Sequence, residues 1–343
     1  MSNYAAIIPS AKAPLEVKPV ETYKPEAGEI LVKNEVIAFN PVEAKIAKLA
    51  LLPVPYPSIL GTSFGGTVEA VGTGVTDFKI GDKVAVRKNF AARGNQYGSF
   101  QKFALARCEM ASKIPSEVDL TNAVSMIGNL STTIGLFAVR AGLDRPSVSG
   151  SAPVRKEKIL VYGGSSSLGS LSVQWLLHAG YQVVTTSSPK HQDYVSKLGE
   201  LHVIDHTQPH GTLVEALASR GPYDLIADMI SLPPTTAINA AVMAAQGGGT
   251  FFSTLPAFGP ETLPEGVKRV FASWPDIIAD EDKSDVEEWV YRTYFPQCLA
   301  NGRLLPYPIR RIDGGLGQGI NDALEMLHSG KVSGVKLVAD PWE

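Results

Sequence analysis

The stretch KILVYGGSSSLGSLSVQWLLHAGYQVVTTSS, Lys158 to Ser188, decides the reading of this 343-residue chain. Its apolar run Ile159, Leu160, Val161 and Tyr162 breaks into a Gly/Ser loop. A helical pattern through Trp175 and Leu177 follows, stops at Gly180 and gives way to a second β-branched run. The order predicts strand, tight loop, helix, strand. The loop GGSSSLG, Gly163 to Gly169, allows a backbone to approach a pyrophosphate closely, with its amides at the positive end of a helix. Gly163, Ser166 and Gly169 keep a three-residue spacing, with Ser166 where a glycine is more usual. Strand before and helix after are the context that phosphate binding requires. The candidate cofactor contacts here are Gly163, Gly164, Ser165, Ser166, Ser167 and Leu168. An ordinary strand-to-helix turn is the other reading of the same residues.

The end of the second run says which nucleotide the loop would take. An NAD site places an Asp or Glu about 20 residues past the loop, on the ribose 2′-hydroxyl. Here the chain reads Thr185, Thr186, Ser187, Ser188, Pro189, Lys190, His191, with no acid. Hydroxyls and a lysine suit a 2′-phosphate, each charge-assisted bond contributing about 1.5–3 kcal/mol. NADPH is therefore the expected cofactor, with Ser187, Ser188 and Lys190 as its contacts. A polar loop capping a helix that starts near His191 is the alternative.

Composition describes an ordinary soluble globular protein, 44% hydrophobic and 19% charged. With 31 basic and 34 acidic residues the formal charge is −3, which gives no hint of a nucleic-acid or anionic-membrane partner. Cys108 and Cys298 form no spacing pattern, so a reducing compartment is expected. No run of eighteen apolar residues occurs, and the cytoplasm is the expected address.

The first 121 residues read as short strands: Ala5 to Ile8, Glu29 to Ala38, Gly65 to Val71 and Lys83 to Val86, separated by Pro, Gly and Asp as in a small barrel. NAVSMIGNLSTTIGLFAVRAGL is helical in pattern. DRPSVSGSAPVRKE, Asp144 to Glu157, reads as an exposed loop. Beyond Ser188, further strands are expected at HVIDH (His202 to His206), YDLIADMIS (Tyr223 to Ser231), GGGTFFSTL (Gly247 to Leu255) and Val267 to Ser273. Strands alternating with helices argue for a parallel sheet. EDKSDVEE reads as a solvated helix start. His202, His206 and His210 are spaced by four, but Pro209 and Gly211 interrupt any helix that would align them as metal ligands.

The order GEILVKNEVIAFNPVEAKI, then PSILGTSFGGTVEAVGTGVTDFKIGDKVAV, then the nucleotide unit, then ALEMLHSGKVSGVKLV resembles the medium-chain dehydrogenase/reductase superfamily nearly end to end. The resemblance implies an α/β protein with a GroES-like β-barrel substrate domain, residues 1–121 and 276–343. The rest, residues 122–275, would be a Rossmann doubly wound parallel-sheet domain for NADPH. The chain is similar to the zinc-independent branch. Zinc alcohol dehydrogenases carry a cysteine ligand just after the strand ending here at Ala38 and a histidine near Gly61. This chain has Phe39, Asn40, Pro41 and Gly61, Thr62, Ser63 there, and no tetrahedral site can be assembled from those residues.

The same resemblance implies cofactor contacts at Ser131, His206, Ser253, Thr254, Leu255, Val332 and Ser333. Without a metal, hydride transfer suits an electron-poor acceptor, a quinone or an alkene conjugated to a carbonyl; the latter leaves an enolate needing donors and a proton. Some enoyl reductases of this branch use a tyrosine where this chain has Leu52. Tyr56, four residues on, is the candidate proton donor, and Asn40 the candidate donor to a carbonyl or nicotinamide. Lys45 reads as a solvated lysine. The runs GGSSSLG and SSPKHQDYVSKLG look closest to fungal trans-acting enoyl reductases, which implies a carrier-bound unsaturated substrate and a polyketide synthase as partner. A quinone oxidoreductase and a non-redox scaffold are the rival readings, and monomer and homodimer both fit.

Overall fold

The computed structural model describes residues 2–88, 93–278 and 285–343. Two compact units divide the chain, one from Met1–Gly128 and Glu288–Glu343, the other Asn129–Glu287. Both boundaries fall later than the expected 121/122 and 275/276. The helix Leu120–Ile127 belongs to the first unit because it lies on the strand Ser63–Val71: a Cβ on Gly65 would sit 2.4 Å from Val124. Trp274 belongs to the second, its indole N–H bonded to the Ser253 carbonyl at 2.7 Å and its backbone against Gly135.

In the first unit the long strand Glu29–Ala38 changes partners along its length. Antiparallel to Ser63–Val71 throughout, it pairs on its other edge with Phe103–Arg107 at its start and with Lys336–Ala339 at its end. Register shifts at Leu31/Val32 and Asn34/Val36 bend it, and such bulges are how a sheet curls toward a barrel. The sheet continues through Lys83–Arg87 to Ala111–Lys113 on one side and ends at Ile309–Arg311 on the other. A smaller sheet orders Glu16–Val20, Asn3–Ile8 and Ser58–Ile59. Ile30, Val32, Phe64, Val68, Val84 and Val86, from alternate positions on three strands, form one core.

In the second unit six parallel strands lie in the order His202–Asp205, Gln182–Ser187, Lys158–Tyr162, Leu225–Asp228, Gly249–Ser253, Val267–Phe271. This is the doubly wound order, reversing beside the strand that leads into the glycine loop. Leu160, Tyr162, Val184, Ile226 and Phe251 make its core with Met243 from the helix Pro233–Ala245. The helical stretch after residue 120 is broken: Leu130–Thr133 follows the first helix, and Ile134–Arg140 continues with wider π-type turns. Residues 279–284, within the charged run, lie outside the described residues. No single helix among those described is long and apolar enough to cross a membrane.

Candidate functional site

The second unit builds the nucleotide loop from three glycines with three different duties. Gly163 takes φ 94°, open to glycine. Gly164 lies against the second strand, where a Cβ would be 2.2 Å from Thr185 Oγ1, and its N–H donates to the Thr186 carbonyl at 2.9 Å. Gly169 lets the helix close onto the loop, since a Cβ there would be 2.1 Å from the Gly163 carbonyl oxygen. Ser166 explains its own departure from glycine. Its Oγ accepts from the Gly169 N–H at 3.0 Å and donates to the Gly163 carbonyl at 2.8 Å, capping the helix Ser167–His178. By position the amides of Ser167 and Leu168 have no intrahelical acceptor, and Ser165 through Leu168 stay partly exposed. Close backbone approach and open amides fit a pyrophosphate.

At the end of the second strand Ser187 and Ser188 are buried and Lys190 is exposed. The His206 amide donates to the Ser187 carbonyl at 3.2 Å, which brings that residue to the same edge. His191, unassigned by the sequence, joins them. Burial lowers its pKa, and the charges of Lys190 and His206 lower it further. The nearby acid Asp205 is spent on Thr207, accepting from its N–H at 2.8 Å and its hydroxyl at 2.7 Å. Those bonds hold its carboxyl below the usual range.

The remaining cofactor candidates of this unit are tied into the fold. Ser131 is buried and donates to the Glu287 carboxylate at 3.2 Å. Arg269 clamps the fifth strand's end, donating to Ser253 Oγ at 2.7 Å and to the Leu255 carbonyl at 2.8 Å. The Thr254 N–H donates to Ser231 Oγ at 2.8 Å. Behind this edge stands Asp228, which the sequence reading missed. It is fully buried and accepts from Ser231 N–H at 2.8 Å, Ile230 N–H at 3.0 Å and Thr235 Oγ1 at 2.7 Å. Burial raises its pKa and those donors oppose the rise. The turn it pins carries Ile230, whose side chain backs Gly163. Along the histidine series, His202 opens a strand, His206 lies in the following turn and His210 starts the helix His210–Ala218.

The first unit brings together a second set of polar groups, from Asn40–Glu43, Thr62–Ser63 and the distant Lys336. Asn40 Nδ2 donates to Thr62 Oγ1 at 2.9 Å and to Ser63 Oγ at 3.0 Å, while its Oδ1 accepts from Lys336 Nζ at 2.6 Å. The amide expected to reach a substrate is thus committed within the protein. Glu43 accepts from Thr62 N–H at 2.9 Å, from Thr62 Oγ1 at 2.5 Å and from the Asn40 N–H. Burial pushes the Glu43 carboxyl up, while these donors and the Lys336 charge pull it back. Burial brings Lys336 down to about 8 against the attraction of Glu43. Lys88 is lowered in the same way. Asn40 and Thr62, from the two segments where the zinc branch carries cysteine and histidine, spend their polar atoms on this network.

Tyr56 lies in the loop before Ser58–Ile59, 36% exposed, and makes no hydrogen bond among the described residues. Leu51 and Leu52 beside it are exposed as well. Lys45, expected to be solvated, is half-buried, and that burial lowers its pKa. Val332 packs against the barrel core and Ser333 is exposed.

Residues 26–116 match the alcohol dehydrogenase GroES-like domain. The trans-enoyl reductase himH of Aspergillus japonicus is 32% identical, with 98% of this chain and 97% of that protein covered. The enoyl reductase component lovC of the lovastatin nonaketide synthase, from Aspergillus terreus, is 28% identical over 90% of this chain and 88% of that protein. The same fold occurs in a quinone oxidoreductase of Pseudomonas syringae pv. tomato, with TM-score 0.77, 21% identity and coverage of 99% and 100%. With glycine loop, doubly wound sheet, curled barrel and full-length relatives all agreeing, this chain belongs to the medium-chain dehydrogenase/reductase family, among the relatives of the fungal trans-enoyl reductases.

Proposed function

We propose that the chain is an NADPH-dependent reductase of carbon–carbon double bonds conjugated to a carbonyl, acting as a trans-enoyl reductase on the carrier-bound thioester of a polyketide synthase. The observation that carries the cofactor choice is the second strand's acid-free end. There Lys190, His191 and His206 gather beside Ser187 and Ser188, and Asp205 is turned onto Thr207. Three basic groups at one strand edge suit a 2′-phosphate. The names of the relatives, trans-enoyl reductase and synthase component, support the substrate class and the partner.

When bound, the nicotinamide supplies hydride to the β-carbon. The chain's own groups position and protonate. The Gly163–Leu168 loop fixes the pyrophosphate by backbone amides, and Asp228 and Ser166 hold that loop rigid. Tyr56 is assigned as proton donor to the α-carbon, because its hydroxyl is uncommitted on an exposed loop. Asn40, with its amide spent, is reassigned from substrate donor to holder of Thr62.

The test is a fluorescence titration with NADPH and NADH side by side, followed by turnover with enones, enoyl thioesters and quinones. Saturable binding favouring NADPH, with turnover of enoyl thioesters, is expected. Preference for quinones would turn the reading to a quinone oxidoreductase. Failure to bind either nucleotide would leave a scaffold of the same fold.

A further inference from the structure

Lys336 is an expensive residue for its position. It sits in the apolar run Val335, Leu337, Val338 on the strand Lys336–Ala339 and is 3% exposed. Its ammonium makes one hydrogen bond, to the neutral amide oxygen of Asn40, and no carboxylate oxygen among the described residues lies within 4.0 Å of it. Removing a charge from water without a close counter-ion costs several kcal/mol that an apolar residue of the same length would avoid. Structural need alone does not account for it, since the strand's neighbours are satisfied by apolar packing.

What the charge does is legible from the bonds. The ammonium on Oδ1 permits only one flip of the Asn40 amide. In that flip both Nδ2 hydrogens point at the hydroxyls of Thr62 and Ser63. Thr62 in turn hands its own hydrogen to Glu43, so one directional chain runs from cation to carboxylate. Asn40 and Thr62 are the members with residual surface, at 8% each, and Glu43, Ser63 and Lys336 lie deeper. Gly128 lies directly on this cluster: a Cβ there would fall 2.2 Å from Ser63 Oγ. A buried ammonium thus lies one amide behind a small polar edge.

We propose that Lys336 is a positioning residue of the reductase site, its buried ammonium locking the Asn40 amide and lending positive charge to the Asn40–Thr62 edge against the enolate that hydride addition creates. The inference rests on the reductase reading. It gives the chain a resident cation, reaching from a distant strand, behind the two segments where the zinc branch binds its metal, and the stabilisation is electrostatic and preorganised.

The full chain is compared with Lys336→Gln, which keeps an N–H for Asn40 and removes the charge, Lys336→Met, which removes both, and Lys336→Arg, which restores charge. The glutamine variant is expected to melt at or above the wild-type temperature, with unchanged NADPH affinity and acceptor KM. Its kcat falls about ten- to a hundredfold, and arginine recovers part of the loss. An unchanged kcat in the folded glutamine variant overturns the proposal, as does a loss in step with the folded fraction. If methionine prevents folding, glutamine and arginine still decide. A second reading needs no turnover: in the NADP⁺-bound protein, p-nitrophenol ionises at lower pH in wild type than in Lys336→Gln. Equal ionisation, or no binding of the phenolate by wild type, overturns the inference. Wild type that binds phenolate in this charge-dependent way yet reduces no enone or thioester sinks the reductase reading alone.

Discussion

At the second strand's end burial presses His191 to lose its proton, and the charges of Lys190 and His206 add to that pressure. A dianionic phosphate placed among them reverses that pressure. His191 therefore titrates at higher pH with NADPH bound than without, and shows no such rise with NADH, as imidazole NMR shifts would report. In the proposed NADPH site, Ser188→Asp puts a carboxylate beside the 2′-phosphate and weakens NADPH at least about tenfold, one lost charge-assisted bond, while sparing NADH; equal weakening of both would remove this loop from the phosphate site. Tyr56→Phe removes the assigned proton and lowers kcat on the order of 10²-fold at unchanged NADPH affinity. Full turnover in that variant would hand protonation to solvent. At this scale the residues proposed for the cofactor could be named from the sequence because loop, serines and lysine lie within one βαβ unit. Lys336 escaped because it bonds to a residue 296 positions away. Its one local signal was a charge inside the apolar run VKLVA. Asp228 escaped because an acid at a strand end reads as a turn residue, and only burial shows what it holds.

The element that carries the site is the strand–loop–helix of the second unit, and its parts are coupled through Ser166. Ser166→Ala removes the cap and costs about 1 kcal/mol, whereas Ser166→Gly costs a few tenths; denaturant unfolding of the two variants separates cap from loop shape. Gly169→Ala is harsher. The new methyl meets a backbone carbonyl, and the loop or helix must shift at about 1–3 kcal/mol, with NADPH affinity falling in parallel. Undiminished NADPH affinity in Gly169→Ala would mean that closure of the helix onto the loop is not what shapes the phosphate site. The longer strands were readable from alternation and β-branched runs, down to Glu29–Ala38 residue for residue, but the short strands Glu16–Val20, Ser58–Ile59, Phe103–Arg107, Ala111–Lys113 and Ile309–Arg311 were not. The helical stretch after Leu120 was not readable as three segments, because its apolar pattern is continuous through Gly128 and Asn129. What splits it is packing: the first segment lies on the barrel strands, and the later ones belong to the other unit.

Across the whole molecule the two units each close their own core, and the strand order of the second follows from alternating strands and helices plus the handedness of their crossovers. The barrel's closure did not follow in the same way. It depends on which strand pairs with each half of Glu29–Ala38, and Lys336–Ala339 arrives from the far end of the chain. That arrival also ties global stability to one buried base. Lys336 carries a folded value of about 8 against 10.5 in the open chain. Below pH 8 both states hold the proton, and the fold bears the full cost of the buried charge. Between pH 8 and 10.5 the folded state releases its proton first, so the wild type gains stability relative to Lys336→Gln, which has nothing to release. The gain approaches ~3 kcal/mol at the upper end. Urea unfolding of both proteins at pH 7, 8, 9 and 10 isolates it, because tyrosines and other lysines titrate alike in the pair. A difference that stays flat across that range would mean that Lys336 keeps its proton in the fold, held there by Glu43 more strongly than burial pushes it off.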